Sequence, residues 1–91
     1  MAKYRKKPVV IDAIEWTGKN LKDCISFLGN SYGGVNTDRR PDGRSEITVL
    51  TLEGQHIASK GDFLIRGVAG EHYPCKPGIF NSTYDLVGEP E

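Results

Sequence analysis

This sequence has little of what marks the common membrane and enzyme classes. Its longest apolar run, residues 9–14, is too short for a membrane span or a signal peptide, and Asp12 interrupts it. The two histidines, His56 and His72, stand in no zinc-binding spacing, so we expect neither a metal site nor a cofactor. No GxSxG, Walker A or GxGxxG pattern occurs. The sequence therefore predicts a protein that needs no membrane and has no catalytic residues of a known pattern.

The sequence also has only two cysteines and no net charge. Cys24 and Cys75 lie far apart and form no CxxC pair, which favours two buried thiols in a cytosolic protein. Twelve basic and twelve acidic side chains balance to zero. Basic residues do cluster in residues 3–7 and 39–44, but the balance and the acidic C-terminus argue against nucleic acid as the ligand. Zero net charge weakens repulsion between copies, so we expect a homo-oligomer.

The apolar periodicity predicts one α+β domain over residues 1–91. A mainly antiparallel sheet of about five strands is expected at residues 7–16, 46–52, 55–59, 63–68 and 71–75. Both faces of the first segment are apolar, which is typical of a strand that is central or covered on both sides. One main helix is expected between Asn20 and Gly29, and a short C-terminal helix at residues 77–84. Residues 30–45 are rich in Gly, Asn, Asp and Arg, which favours a long flexible loop with at most a brief extended piece near Val35.

Aromatic, basic and polar side chains gather around the hairpin in residues 61–84. Flat rings can stack on a base, an arginine fork or a lysine ammonium can pair with phosphate, and short polar groups can recognise polar edges. A small protein most easily encloses such a ligand between subunits. The predicted ligand-binding residues are Trp16, Asp62, Arg66, His72, Tyr73 and Lys76.

The same residues have structural explanations, which the sequence leaves open. Trp16 and Tyr73 would also serve as core or rim aromatics, and Arg66 would pair with Glu71 across the hairpin. A lysine beside Cys75 would lower the pKa of that thiol and activate it, although a structural cysteine is the simpler interpretation.

Two segments carry a resemblance to a known group. The opening MAKYRKKPVVIDAIEWTG and the segment GDFLIRGVAGEHYPCKPGIFNSTY resemble small proteins encoded by tailed bacteriophages and prophages. The second motif of that group is roughly G-D-aromatic-I-I-R-G-V-x-G-E-x-Y-P-C-K-P-D-I-F, and Gly78 stands here in place of its usual Asp. The match covers about 40 of the 91 residues. It implies a phage source and the host bacterial cytoplasm as the location.

A phage source implies a class of function. Phage accessory proteins of this size include oligomeric sponges that bind the nucleotide messengers of bacterial antiviral systems, and this chain is similar in size and composition. We therefore expect a non-catalytic protein that sequesters a nucleotide-derived immune signal. Two alternatives stay open. One is a phosphodiesterase-like enzyme that degrades such a signal with Glu71 and His72 as acid and base. The other is an interaction module that binds a host or virion protein through a sheet edge.

Overall fold

The computed structural model describes residues 1–4, 9–37 and 45–87. Over these ranges the fold is α+β, with two antiparallel three-stranded sheets and two α-helices. The elements follow the chain in this order: β1 (Asp12–Glu15), α1 (Leu21–Leu28), a 3-10 turn (Gly29–Ser31), β2 (Tyr32–Thr37), β3 (Ser45–Thr51), β4 (Gly54–Ser59), β5 (Phe63–Arg66), β6 (His72–Cys75) and α2 (Pro77–Thr83). Sheet A has the strand order β1-β5-β6, and sheet B has the order β2-β3-β4.

The predicted α+β class is confirmed, but the strand count is not. Six strands form two sheets where about five were expected in one, because the predicted loop 30–45 contains β2. Its two glycines hide the strand pattern, yet Gly33 has a packing reason: a Cβ there would lie 3.0 Å from side-chain atoms of both Thr48 and Leu50. The pairing with β3 shifts register between Tyr32 and Val35, which is how the irregular segment joins the sheet. Residues 38–44 of the predicted loop, with the arginines at 39, 40 and 44, lie outside the described residues, as do the basic residues 5–7.

The first strand is an edge strand, so its prediction as a central one was wrong. Among the described residues β1 pairs only with β5, and Val9 and Val10, which precede it, are 44% and 73% exposed. The central strand of sheet A is β5, whose neighbouring residues Leu64 and Ile65 are both fully buried on opposite faces. Sheet A is nevertheless covered on both faces, because Ile14 packs on the main core and Ala13 lies beside Ile65 on the face that α2 covers.

The main core lies between one face of sheet A, sheet B and α1. α1 begins after Asn20 and ends at Gly29, which has a φ of +54°, as the sequence predicted. The Asn20 side chain does not cap the helix; its Oδ1 accepts hydrogen bonds from Thr17, and its amide donates to the carbonyl of Glu15. The buried core cluster consists of Trp16, Cys24, Leu28, Ile47, Val49, Ala58 and Leu64.

The other face of sheet A is covered by α2. The rings of Phe63 and Phe80 are parallel with centroids 3.9 Å apart, and Ile65 is buried on the same face of the sheet. Pro77 begins this helix, where its missing N–H costs nothing. No helix within the described ranges is long and apolar enough to span a membrane.

Candidate functional site

The free edge of β6 carries unpaired main-chain groups. Pro74 faces Leu64 in the register and has no N–H, so this pair is of the type that exchanges no main-chain hydrogen bonds. At the other end of the β5–β6 ladder, the Gly67 N–H donates to the Glu71 carbonyl at 2.8 Å. Hydrogen-bonded and non-hydrogen-bonded pairs alternate along an antiparallel ladder, so the neighbouring Arg66–His72 pair is also of the type without main-chain hydrogen bonds. It follows that the N–H and C=O of His72 and the C=O of Pro74 point away from β5. None of these three groups has a partner among the described residues.

A cleft of about 330 Å³ lies at this edge, between β6 and the tip of the β3–β4 hairpin. We call it the β6 cleft. Its lining residues include two glutamates and two histidines, and neither lysine nor arginine is among the described residues that line it. On the hairpin side the lining residues are Thr51, Leu52, Glu53 and His56. On the strand side they are Glu71, His72, Tyr73 and Pro74.

His72 is held from the core side of the sheet. It is 9% exposed, its Nδ1 lies 2.8 Å from Ser31 Oγ, and its ring meets Phe27 edge-on at 5.5 Å between centroids. Its Nε2 is buried with no hydrogen-bond partner in the described part of the chain. Because the ring is fixed on the inner side, the main chain of His72 is a rigid part of the cleft wall.

Glu71 is committed to the β5–β6 hairpin. Its carboxylate accepts the Ala69 N–H at 3.1 Å, and a Cβ added at Gly67 would collide with that carboxylate. Since neighbouring strand residues face opposite sides, Glu71 and His72 do not point at one another. This arrangement argues against the acid–base pair proposed for an enzyme.

Trp16 lies in the core, which corrects its prediction as a stacking platform. It is 1% exposed, and its indole Nε1 donates to the Ser45 carbonyl at 3.0 Å. No face of the ring is open to a ligand, so the alternative that Trp16 is a core aromatic is the correct one.

Asp62 and Lys76 form one cluster with the end of β1, which we call the Asp62 corner. The buried Asp62 carboxylate accepts the Ser59 N–H and the Lys76 ammonium, each at 2.8 Å. Its main chain bonds to Trp16, whose N–H donates to the Asp62 carbonyl at 2.8 Å. Asp62 therefore joins β1, the β4–β5 turn and the start of α2, and Lys76 contacts a carboxylate rather than a phosphate.

Arg66 pairs with Asp12 and not with Glu71. Its guanidinium lies 2.6 Å from the Asp12 carboxylate on the neighbouring strand and 5.4 Å from the centroid of the Phe27 ring. Both members of the ion pair are exposed. The sequence correctly suggested that Arg66 pairs with a carboxylate on a neighbouring strand, but this carboxylate belongs to Asp12 on β1 and not to Glu71.

Tyr73 and Cys75 point to the α2 side of sheet A. The Tyr73 hydroxyl lies 3.4 Å from that of Tyr84, and burial, together with this contact, raises the pKa of Tyr73 to about 12. The pKa of the half-buried Cys75 thiol is raised by burial and by the Asp62 carboxylate. Lys76 therefore does not activate Cys75, because its ammonium binds Asp62, and a nucleophilic thiol finds no support.

The structure separates the six predicted site residues. His72 and Tyr73 line the β6 cleft, Asp62 and Lys76 meet at the Asp62 corner, and the other two lie elsewhere. The single hollow of converging rings and cations that we expected does not form within one chain. Sequence reasoning missed the hairpin residues of the cleft, Thr51, Leu52, Glu53 and His56; it predicted their turn but had no signal that placed the turn opposite β6.

A second hollow of about 790 Å³ runs along the outer edge of β1. We call it the β1 groove; its lining includes Val9, Val10, Ile11, Leu86 and Val87. Two of the most exposed of these, Val10 and Leu86, are 73% and 78% exposed. An apolar surface beside a free strand edge is a feature of protein-binding sites.

Comparisons with known proteins add no relative. No family model, no curated protein and no solved structure matches the chain. Within the described ranges, no three His, Cys, Asp or Glu side chains are placed to hold a metal ion. The resemblance to phage proteins thus remains a prediction from two sequence segments.

Proposed function

We propose that the protein binds a nucleotide-derived small molecule without transforming it, and that the base of this molecule occupies the β6 cleft. The phage resemblance makes a bacterial antiviral signal the candidate ligand, sequestered in the cytoplasm of the host. The observation that carries the proposal is the free edge of β6, where unpaired main-chain groups of His72 and Pro74 meet a cleft. Buried or half-buried polar groups without partners favour a ligand that supplies them.

The size of the cleft suits part of a nucleotide. Small-molecule sites are typically about 300 to 1,000 Å³, so a volume of about 330 Å³ holds a nucleoside but not a whole cyclic dinucleotide. The remainder of such a ligand extends out of the cleft. A second copy of the chain would enclose it, which is consistent with the expected homo-oligomer.

The side chains favour binding over catalysis. Glu71 is engaged by the hairpin, the Nδ1 of His72 by Ser31, and the thiol of Cys75 has a raised pKa. A sequestering protein needs only slow release of its ligand, not a nucleophile or a positioned acid.

Titration calorimetry with cyclic dinucleotides and with cyclic ADP-ribose isomers tests the proposal. We expect heat of binding with at least one of them, and the same molecule recovered intact by mass spectrometry after heat denaturation of the complex. Recovery of a degraded nucleotide would favour the enzyme alternative. Absence of heat with every ligand would contradict the proposed function.

A matched pair of variants locates the binding. Leu52→Asp places a carboxylate in the cleft, while Ile57→Asp places one outside it; both side chains are well exposed, at 86% and 51%. We expect Leu52→Asp to weaken binding about tenfold, or about 1.4 kcal/mol, because an apolar contact with the ligand is lost and the new carboxylate must be desolvated. Ile57→Asp should leave affinity unchanged.

The β1 groove favours a second candidate, a protein-interaction module. An extended segment of a partner would pair with the free edge of β1 and cover Val10 and Leu86. Sedimentation velocity and co-purification from infected cells test this candidate. Loss of a partner, or of self-association, in Val10→Asp with nucleotide binding intact would assign the groove to protein contacts.

A further inference from the structure

The chemistry of the β6 cleft also indicates which part of the ligand it recognises. We infer that the cleft binds the amino-bearing edge of a nucleobase, adenine in the first place, through the main chain of His72 and Pro74, and that it excludes the phosphates. This inference rests on the proposed function and narrows it to a ligand class and an orientation.

The first argument is the pattern of hydrogen-bonding groups. An edge residue of a strand presents its N–H and its C=O side by side, in one direction. His72 is such a residue, and the next outward carbonyl is that of Pro74, so the edge offers one donor and two acceptors. Adenine has a ring nitrogen acceptor beside an exocyclic amino group that donates. The ring nitrogen would accept the His72 N–H, and the amino group would donate to a carbonyl.

The second argument is charge. Glu53 and Glu71 are among the residues that line the cleft, and no lysine or arginine is among its described lining residues. Carboxylates accept hydrogen bonds from an amino group and repel a phosphate. The two basic side chains that the sequence predicted to bind phosphate are both in ion pairs, Arg66 with Asp12 and Lys76 with Asp62. A nucleotide would therefore enter base first and leave its phosphates at the mouth.

The third argument is rigidity. The hairpin that precedes His72 is fixed by the Gly67–Glu71 main-chain bond and by the Glu71 carboxylate on the Ala69 N–H. The His72 ring is held by Ser31 and Phe27. A base edge thus meets hydrogen-bonding groups that are already in position, which lowers the entropic cost of binding.

Three small probes test the inference on the whole protein. Adenosine carries the base with its amino group, purine riboside lacks only that amino group, and ribose 5-phosphate carries the phosphate without a base. Amide exchange measured by NMR provides an internal control, because the His72 N–H faces the cleft while the Tyr73 N–H is bonded to β5.

We expect adenosine to slow exchange of the His72 amide, to leave that of Tyr73 unchanged, and to compete with the cyclic nucleotide that binds in calorimetry. Purine riboside should bind at least about tenfold more weakly, since it leaves a carbonyl unpaired. Ribose 5-phosphate should not compete. Glu53→Gln should weaken adenosine binding severalfold, and Glu46→Gln, a substitution on β3 away from the cleft lining, should not.

The outcomes separate the two proposals. If a cyclic nucleotide binds while adenosine fails to compete or to protect His72, the inference is wrong and the proposed function stands. Equal affinity for adenosine and purine riboside, or competition by ribose 5-phosphate, would likewise overturn it. If no nucleotide of any kind binds, the proposed function fails and the inference fails with it.

Discussion

In the part of the chain that the structure describes, two carboxylate–cation pairs join the elements of sheet A and its neighbour α2, and they differ in burial. In the Asp62–Lys76 pair the Asp62 side chain is 5% exposed and the Lys76 side chain 61%; in the Asp12–Arg66 pair the corresponding values are 64% and 44%. The first pair also includes a main-chain donor, the Ser59 N–H, while no third group binds the Asp12 carboxylate in the described ranges. Both cations were expected to bind phosphate. The comparison predicts that the burial of the carboxylate, rather than the type of residue, decides how much each ion pair contributes to stability.

The Asp62 corner should therefore be the more costly one to remove. Asp62→Ala leaves the Ser59 N–H without its acceptor and removes the ion pair that ties the start of α2 to the β4–β5 turn. The Lys76 ammonium remains solvated after this substitution. We expect a loss of about 2 to 4 kcal/mol in the free energy of unfolding, measured by urea denaturation.

Asp62→Asn is the matched control for this prediction. Its amide oxygen can still accept the Ser59 N–H, so only the attraction to Lys76 is lost, and about half of the destabilisation should remain. If Asp62→Ala lowered the free energy of unfolding no more than removal of an exposed charge does, the predicted difference between the two ion pairs would be wrong.

Gly67→Ala examines the hairpin end of sheet A, next to Arg66. The new Cβ would collide with the Glu71 carboxylate, which must then move and give up the Ala69 N–H. The carboxylate ends a flexible side chain and can turn aside, so we expect a loss of about 0.5 to 1.5 kcal/mol in unfolding free energy, the cost of the Ala69 hydrogen bond. Gly78→Ala is the control, because a Cβ there meets nothing within 4 Å.

A second readout ties this variant to the cleft. Glu71 lines the cleft, so moving its carboxylate should also alter the chemical shift of the His72 amide. A stable Gly67→Ala protein with unchanged His72 and Ala69 resonances would contradict the assigned role of Glu71.

The elements of this fold were largely predictable, whereas their arrangement was not. Helical spacing of Leu21, Cys24 and Leu28, ended by Gly29, predicted α1 within one residue, and the Glu53–Gly54 turn predicted the β3–β4 hairpin. β2 was expected only as a brief extended piece near Val35, because the reason for Gly33 is its packing on Thr48 and Leu50, which are distant in sequence.

The site was less predictable for a related reason. Residue type distinguishes neither a buried Trp16 from an open one nor a lysine paired with Asp62 from a free one. The groups that now carry the proposal belong to the main chain of His72 and Pro74, where the side-chain sequence gives only one signal, the proline without an N–H. The opposite wall depends on how sheets A and B pack, which is a long-range property.

Burial also affects a group that is uncharged at neutral pH, the buried thiol of Cys24. Burial is the main reason that the pKa of Cys24 rises from 9.0 to about 11, and the nearby Asp23 adds to it. The native state then keeps a proton that the unfolded chain loses above pH 9, so the stability must fall as pH rises from about 9 to about 11. The slope from this one group is at most about 1.4 kcal/mol per pH unit.

Urea unfolding under reducing conditions, at steps between pH 8 and pH 11, measures this slope. Cys24→Ala should flatten the alkaline decline, while Cys75→Ala, at a half-buried position, should flatten it less. Tyr73, whose pKa is raised to about 12, extends the decline to higher pH in both variants. An unchanged slope in Cys24→Ala would show that this thiol does not titrate as its burial requires.

The smallest effect is expected at the exposed pair, and it completes the comparison with Asp62. Asp12→Asn keeps the side-chain shape and a hydrogen-bond acceptor for Arg66 but removes the charge, and both side chains remain in contact with water. Exposed ion pairs contribute about 0.2 to 1 kcal/mol, so the unfolding free energy should fall by less than about 1 kcal/mol, and by less still at 1 M salt. Arg66→Gln should cost somewhat more, because it also removes the cation from the Phe27 ring. Nucleotide affinity should be unchanged in Asp12→Asn, since Asp12 does not line the β6 cleft. A loss as large as that of Asp62→Ala would mean that the Asp12–Arg66 pair holds β1 in place, and that exposure does not set the contribution of a charge in this sheet.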